Sequence, residues 1–454
     1  MQNQAKNNSL FPSIVLTALF FVWGFMTVLN DILIPKMKEI FHLNHTQAML
    51  IQFCFFGAYF VGSLIYFFIS SSIGDPINKI GYKNGIIIGL IFSAIGTFLF
   101  YPAAEYISYP IFLSGLFVLG LGFTLLQIAA NPYIAIIGNP DTASSRLNLS
   151  QAFNSLGTTI APIIGGFLIF DYFAKGQSDL TYSVKIPYLI FSLIFVSLGL
   201  IIKFIKLSDF TNHDNIEKGL GALKFPQLRF GIIAIFLYVG AEVSIGSMMI
   251  SFLGQKEIAG LPNTSASHYL ALYWGGLMIG RFIGAISLSK FTSLTKNLII
   301  FTIPLISFFV IAQYYSYEIA AYFGILMIIN VIGFFIGKFT ANSTLFVFAL
   351  IIIMLLITSI LNTGSVAMWC VIGIGLFNSI MWSNIFTLSI SGLGKYTSQG
   401  SSLLVMAILG GALIPELQGF VADNIGVHNS FIVPILSYIY LAFYGAKGYR
   451  SMSL

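Results

Sequence analysis

Few side chains in the long apolar runs of this sequence can ionise, and four of them lie clearly away from the ends of the runs. They are Asp31, Glu242, Arg281 and Glu416. A charge at the centre of a lipid bilayer costs roughly 2.5–3.5 kcal/mol, so such residues usually face a partner or a polar cavity. Desolvation raises the pKa of a carboxyl group and thereby favours proton uptake. The carboxylate of Asp31, beside Asn30, could equally provide oxygen ligands for a sodium ion.

The cation-coupling residues predicted from this chemistry are Asp31 and Glu242. Asp31 has a simpler alternative, an aspartate at the membrane surface that pairs with Lys36 or Lys38. Glu242 is interpreted as a second titrating group, a ligand of a polar substrate or the partner of a buried cation. Arg281 is expected near the cytoplasmic end of its helix, where it would hold a gate or a helix terminus.

Amide side chains cluster around one proline in the first half of the chain. Gln127 and Asn131 precede Pro132 in "LQIAANP", and Gln151 and Asn154 have an i, i+3 spacing that places them on one helix face. An amide both donates and accepts hydrogen bonds, as a neutral polyhydroxylated ligand requires of its site. A single amide would more simply bond to a neighbouring helix, which contributes about 0.6 kcal/mol. Four amides in two adjacent segments favour a binding site.

Flat aromatic side chains and one further amide complete the predicted substrate site. Trp23 and Trp274 offer faces that suit the C–H surface of a ring-shaped ligand. Asn378 occupies in "LFNSIMWS" the place that Gln127 occupies in "LLQIAANP". The predicted substrate-binding residues are therefore Gln127, Asn131, Gln151, Asn154, Asn378, Trp23 and Trp274.

The composition requires helices in a membrane. Of the 454 residues, 57% are hydrophobic and only 8% are charged, which is too apolar for a water-soluble core. Crossing about 30 Å of hydrocarbon takes about 20 apolar helical residues, and the runs here are continuous. The strands of a β-barrel would alternate instead. The predicted fold class is therefore an all-α polytopic membrane protein.

About fourteen such runs follow one another. They lie near 13–35, 47–73, 84–104, 110–138, 149–170, 186–206, 228–254, 266–289, 297–315, 318–337, 343–361, 366–391, 399–421 and 430–446. A polar stretch at 208–227 is interpreted as a cytoplasmic linker between two membrane halves, 1–207 and 228–454. Most of the 21 Lys and Arg residues fall in alternate loops, which predicts that both termini are cytoplasmic. The net charge of +6 thus reports topology, and nucleic acid is not implied.

The two halves repeat each other weakly. "GTTIAPIIGGF" at 157–167 matches "GGALIPELQGF" at 410–420, each with a glycine five residues before a proline. Many secondary transporters consist of two similar membrane halves, with the substrate site between them near the bilayer midplane. The sequence therefore predicts two pseudo-symmetric halves around a central site.

The loop after the second run carries a recognisable motif. "GDPINKIGYK" places Gly74, Asn78, Lys79, Gly81 and Lys83 at the spacing of the loop motif of the major facilitator superfamily, and these five residues are predicted to act in gating. The segments "FFVWGFMTVLNDILIP", "LQIAANPY", "SRLNLSQAFNSLG" and "GLFNSIM" resemble the fucose permease and glucose/galactose transporter family within that superfamily.

This resemblance implies the major facilitator fold and cation-coupled uptake of a hexose by alternating access. The aspartate of the family's first span corresponds to Asp31, and the Gln and Asn of its fifth span correspond to Gln151 and Asn154. Fucose permeases have a glutamate where this chain has Gln127, so the chain is more similar to the glucose/galactose branch. They have a glutamine where this chain has Glu242, so the choice between H⁺ and Na⁺ stays open.

The superfamily norm of twelve helices leaves residues 297–337 as an inserted helix pair, which we interpret as peripheral packing. We expect no cofactor beyond the co-transported H⁺ or Na⁺. We also expect a monomer in the plasma membrane, a bacterial inner membrane, whose partners are a sugar, a monovalent cation and lipid. A fucose or other sugar–proton symporter, a drug exporter and a non-transporting sugar sensor are the alternatives. An enzyme is disfavoured because no nucleophile and base are placed together.

Overall fold

All regular structure in the described part of the chain is helical. The computed structural model describes residues 10–41, 45–166, 168, 172, 181–205 and 219–450. The first half contains α1 (Leu10–Phe41), α2 (His45–Ile73), α3 (Pro76–Ile80), α4 (Tyr82–Phe98), α5 (Phe100–Glu105), α6 (Tyr109–Ile136), α7 (Ala143–Gly166) and α8 (Tyr182–Phe204). The second contains α9 (Pro226–Leu253), α10 (Asn263–Ser287), α11 (Ser293–Tyr314), α12 (Tyr317–Ile336), α13 (Ala341–Leu361), α14 (Gly364–Asn378), α15 (Met381–Ile390), α16 (Thr397–Met406), α17 (Gly410–Ile425), α18 (Val427–Ser430) and α19 (Ile432–Phe443).

The lengths of these helices fit a membrane. Among the described residues, twelve helical segments are long and apolar enough to cross a bilayer. Two further long helices, α1 with 32 residues and α7 with 24, occupy the first and fifth predicted runs. The chain is therefore a multi-pass membrane protein, and the predicted all-α fold class is confirmed.

Besides the run 84–104, which is divided into α4 and α5 at Leu99, two predicted runs of the second half contain an internal break that the sequence did not predict. The run 366–391 is divided into α14 and α15, which are separated by Ser379 and Ile380. The run 399–421 is divided into α16 and α17, which are joined by a 3₁₀ turn at Ala407–Leu409. Neither break contains a proline, so tertiary contacts rather than a local breaker must hold these conformations.

The first compact unit comprises Met1–Ile137, Leu156–Ala222 and Leu393–Met406. Within it α6 packs against α2, α4 and α16, and α4 also packs against α8. The rings of Phe100 and Tyr188 are stacked with centroids 4.0 Å apart between α5 and α8.

The second compact unit comprises Gly138–Ser155, Leu223–Gly392 and Ala407–Leu454. Within it α9 packs against α15, α17 and α19, while α13 packs against α14 and α19. Helix α10 packs against α14.

Each compact unit contains one segment from the other half of the sequence. Residues 138–155 belong to the second unit, where the hydroxyls of Ser144 and Thr387 lie 2.6 Å apart. Asn148 Nδ2 also donates to Asn384 Oδ1 at 3.2 Å there. Residues 393–406 belong to the first unit. The predicted halves 1–207 and 228–454 thus differ from the compact units at these two segments.

Side-chain hydrogen bonds also hold segment 393–406 in the first unit. Ser398 Oγ donates to the hydroxyl of Tyr82 at 3.1 Å. Gln399 accepts from the backbone N–H of Ala222 and donates to the carbonyl of Gly219, both at 3.0 Å. These three bonds join neutral groups, and the backbone N–H of Gln399 also bonds to the carboxyl group of Asp75.

The repeat predicted from the sequence has a structural counterpart. A Cβ added to Gly157 on α7 would collide with the carbonyl oxygen of Phe21 on α1. A Cβ added to Gly410 on α17 would collide in the same way with the carbonyl oxygen of Phe236 on α9. Each glycine therefore permits a close approach to the first helix of its own repeat.

Candidate functional site

One polar cluster in the first unit contains two of the predicted site residues. The hydroxyl of Tyr59 on α2 is hydrogen-bonded to the side chains of Trp23 on α1 and Gln127 on α6. Trp23 and Gln127 are only 6% and 7% exposed. The Trp23 ring packs against Phe123, with centroids 6.0 Å apart. A buried amide therefore lies beside a buried aromatic face, and the role of both in substrate binding stays a prediction.

The other predicted amides are distributed over both units. Asn131 lies one turn after Gln127 on α6 and is fully buried in the first unit. Gln151 and Asn154 lie on α7 within residues 138–155, so they belong to the second unit. The structure therefore does not place the four amides in one compact unit. Their predicted role in substrate binding stays a prediction.

The second unit contains a larger network around Glu242. The Tyr238 hydroxyl donates to Glu242 Oε1 at 2.7 Å and also lies 3.1 Å from the carbonyl oxygen of Asn378. Tyr273 donates to the carbonyl of Glu242 at 3.0 Å and accepts from Asn378 Nδ2 at 3.0 Å. Tyr438 donates to Asn378 Oδ1 at 2.7 Å. Asn378 and the three tyrosines are fully buried.

The three tyrosines of this network were missed by sequence analysis. They lie on α9, α10 and α19, far apart along the chain, and the sequence has 22 tyrosines without a distinguishing pattern. One signal was available, because Tyr238 and Glu242 are spaced i, i+4 and therefore share a helix face.

The network lies at the break between α14 and α15. Helix α14 ends at Asn378, and Ile380 has φ −94° and ψ −9°, outside the regular helical range. Discontinuous helices are a common way to build substrate and ion sites in membrane carriers, because free backbone groups can then line the site.

Arg281 on α10 ties this break to α7. Its Nε donates to the carbonyl of Ser379 at 3.1 Å, and its Nη1 donates to the carbonyl of Gln151 at 3.4 Å and to the hydroxyl of Ser155. Its guanidinium also attracts the Glu242 carboxylate. Arg281 thus contacts a helix terminus and is a partly buried cation near Glu242. The gating role of Arg281 and the role of Glu242 stay predictions.

Two remaining candidates are more exposed. Trp274 is 41% exposed and packs edge to face on Tyr273 at 5.1 Å. A Cβ added to Gly246 on α9 would lie 2.9 Å from the Trp274 ring, so the ring lies against backbone. Glu416 on α17 is exposed.

Asp31 lies in α1, two residues beyond the apolar segment Ile14–Leu29. Its side chain lies outside what the structure describes. The predicted cation-coupling role of Asp31 therefore rests on the sequence.

The loop motif is built from helix ends. Gly74 and Gly81 have φ values of +92° and +82°, a conformation that favours glycine. Asn78 Nδ2 donates to the carbonyl of Lys395 at 2.5 Å. Lys79 and Lys83 donate to the carbonyls at the ends of α2 and α8, at 3.0 and 2.8 Å, where a cation is favoured by the helix dipole. The motif therefore fastens the ends of three segments of the first unit.

Asp75, which the sequence analysis did not select, is the buried carboxyl of this loop. It caps α3 by accepting from the N–H of Ile77 at 3.0 Å, and Tyr66 donates its hydroxyl to the same oxygen at 2.5 Å. Burial raises its pKa from 3.8 to about 6, although the Tyr66 hydroxyl and N–H groups including that of Gln399 act to lower it.

This pKa predicts a pH-dependent stability. The pKa of Asp75 is higher in the folded protein than in the unfolded chain. The stabilisation that Asp75 contributes is therefore complete below about pH 4 and is lost as the pH rises through about 6. The loss amounts to about 3 kcal/mol. Thermal unfolding of the purified protein in detergent between pH 4 and 7.5 should therefore show a decline that Asp75→Asn removes. The exposed Asp423→Asn is the control, and an identical decline in both variants would contradict the assignment.

Together these features define a polytopic α-helical membrane protein with buried polar clusters in membrane-length helices, the class that includes secondary carriers. Residues 15–342 match the family model of the Major Facilitator Superfamily. The chain belongs to the major facilitator superfamily.

Its relatives cover almost the whole chain. The glucose/galactose transporter of Brucella abortus is 43% identical over 457 residues, which span 99% of this chain and 97% of the relative. The L-fucose-proton symporter of Escherichia coli is 30% identical, and the alignment covers 94% of this chain and 91% of the relative. The crystal structure of FucP, a transporter of the superfamily in the outward conformation, superposes with a TM-score of 0.78 at 29% identity, covering 98% of this chain and 100% of that one. The resemblance inferred from the motifs is confirmed.

Proposed function

We propose that the protein takes up a hexose of the glucose/galactose type across the plasma membrane by alternating access, in symport with H⁺ or Na⁺. The observation that carries this proposal is a buried cluster of amide and tyrosine groups in each compact unit. Gln127 with Tyr59 and Trp23 form the first, and Asn378 with its tyrosines forms the second. Neutral donors and acceptors beside aromatic faces suit the hydroxyls and the C–H surface of a sugar.

The similarity to glucose/galactose and fucose–proton carriers supports the substrate class. Gln127 favours the glucose/galactose branch, because a neutral amide stands where fucose permeases have a carboxylate. Sugar and cation must each bind the closed state more tightly, since only differential binding shifts a conformational equilibrium. Coupling then follows if neither ligand alone offsets the cost of closure.

Gating is assigned to the two exchanged segments and the groups that hold them. For sugar to leave on the cytoplasmic side, residues 138–155 and 393–406 must separate from the units in which they pack. Arg281 and the pair Asn148–Asn384 hold the first segment, and Asn78 holds the second through the carbonyl of Lys395. Apart from those of Arg281, these bonds are between neutral groups, so breaking them exposes no unpaired charge.

Uptake into proteoliposomes tests the function. We expect labelled glucose and galactose to accumulate, fucose to accumulate less, and only one of two separately imposed gradients, sodium or pH, to drive uptake. Fucose preference would overturn the inference from Gln127. Sugar binding without uptake or counterflow would instead identify a non-transporting sensor. In this scheme the carrier acts as a monomer with both termini in the cytoplasm, as the loop charges predict.

A further inference from the structure

Helix α12, the second helix of the inserted pair, reaches the break between α14 and α15. Asn330 is fully buried, and its Nδ2 donates to the carbonyl of Leu376 at 2.9 Å. Among the residues that the structure describes, its Oδ1 has no hydrogen-bond partner. The amide therefore bonds to α14 through its nitrogen alone. The acceptor, Leu376, lies two residues before Asn378 in the sequence.

The two inserted helices differ in how they pack. Leu326 of α12 fills the space beside Gly373 of α14, where an added Cβ would lie 2.8 Å from its side chain. Tyr322 of α12 stacks on Trp369 of α14, with centroids 5.5 Å apart. By contrast, the buried residues of α11 are only Ile300, Ile311 and Ala312. The peripheral role expected of the insert therefore fits α11 but not α12.

Three helices hold the backbone carbonyls at the break. Asn330 of α12, Tyr238 of α9 and Arg281 of α10 contact the carbonyl oxygens of Leu376, Asn378 and Ser379, respectively. Glycines of α10 bring that helix close to the same point, because a Cβ on Gly280 would collide with Ser379. The conformation of the break is thus determined by side chains from three directions.

The bond from Asn330 is not needed to satisfy a buried acceptor. Leu376 already accepts from the hydroxyl of Ser379 at 2.6 Å, so loss of Asn330 would leave no unpaired carbonyl. A buried amide with an unused oxygen is a costly way to make a redundant bond. Its position suggests that it acts on the geometry of the break.

We propose that Asn330 is a positioning residue of the sugar site. It fixes the carbonyl end of α14 and thereby orients the Asn378 amide between Tyr273 and Tyr438. Asn330 itself does not contact the substrate. This inference rests on the proposed function, and it gives the inserted helix a part in sugar affinity.

The test compares Asn330→Leu, which keeps a similar volume, with Ser192→Ala. Ser192 makes a matched hydroxyl-to-carbonyl bond to Ala94 at 2.9 Å in the first unit. Hexose uptake into proteoliposomes should show a KM raised about three- to tenfold in Asn330→Leu, the range expected for one interhelical bond, with little change in the maximal rate. In an Asn378→Ala background, Asn330→Leu should not raise KM further, because Asn330 acts through the Asn378 side chain. Ser192→Ala should leave KM unchanged.

An unchanged KM, or an equal increase in the Asn378→Ala background, would overturn the proposal. Asn330→Ser is the second variant, since its hydroxyl is too short to reach Leu376. If both Asn330 variants fail to fold while Ser192→Ala folds, the residue serves folding and the proposal also fails. Hydrogen exchange at residues 376–382 needs no sugar and should be faster in Asn330→Leu. If the wild-type protein transports no hexose, this measurement still decides the role of Asn330, while the proposed function fails separately.

Discussion

Asp31→Asn should abolish the accumulation of sugar against its gradient while exchange of sugar across the membrane persists. An unoccupied, charged carboxylate makes closure of the carrier costly by roughly 2.5–3.5 kcal/mol if it is enclosed near the bilayer centre. A bound H⁺ or Na⁺ relieves that cost, and this relief couples the cation to the sugar. Asparagine is always neutral, so closure would no longer require the cation. Movement of sugar down its own gradient would then continue without help from a cation gradient.

The measurement is uphill uptake and, separately, counterflow of labelled sugar in proteoliposomes. Asp423→Asn is the matched control, because Asp423 is an exposed aspartate near the end of α17. The alternative hypothesis places Asp31 at the membrane surface, paired with Lys36 or Lys38. Intact accumulation in Asp31→Asn would favour that reading and would refute the coupling mechanism.

Glu242→Gln should lower uptake about tenfold or more. The carboxylate accepts from Tyr238 and attracts the guanidinium of Arg281. Both side chains are partly buried, so replacing the carboxylate leaves the Arg281 guanidinium without the negative charge that compensates it in a medium of low polarity. The effect should therefore reach both accumulation and exchange, unlike that of Asp31→Asn.

The double variant Glu242→Gln/Arg281→Gln separates the roles left open for Glu242. If Glu242 only neutralises Arg281, removing both charges should restore much of the exchange and the accumulation. If Glu242 also carries the coupled cation, exchange should return but accumulation should not. The control is Glu105→Gln, since Glu105 pairs with Lys185 at 2.7 Å and is half exposed, where an ion pair contributes little. No recovery of either activity would contradict the pairing of these two residues.

Several features of the fold followed directly from local sequence. Each apolar run is long enough to form a helix across the bilayer, and the lipid gives backbone groups no alternative partner. The two helices at 297–337 were predicted in the same way, and α11 and α12 occupy this segment. Their interpretation as an insert came from the resemblance to the superfamily, whose norm is twelve helices. The loop motif could also be read locally, because Gly74 and Gly81 occupy positions where the backbone needs a positive φ.

The candidate site was only partly predictable. Glu242, Arg281 and Gln127 were selected because charges and amides are costly in membrane helices. Asn378 was selected because it matches Gln127 in the internal repeat, and Trp23 because its flat face suits a ring-shaped ligand. Their partners could not be selected. A tyrosine in an apolar run is ordinary, and only the bond that its hydroxyl makes distinguishes it from a residue that faces lipid.

The sequence by itself determined the fold class, the order of the helices, the family and a short set of polar candidates, because hydrophobic length and the cost of buried charge depend on local composition. Only the tertiary structure decided that Tyr238, Tyr273 and Tyr438 surround Asn378 and that Asn330 reaches the break in the same helix. It also decided that residues 138–155 and 393–406 pack with the opposite half. These contacts join positions up to 317 residues apart, such as Asn78 and Lys395. They depend on which helix faces meet, and apolar sequence alone does not specify those faces.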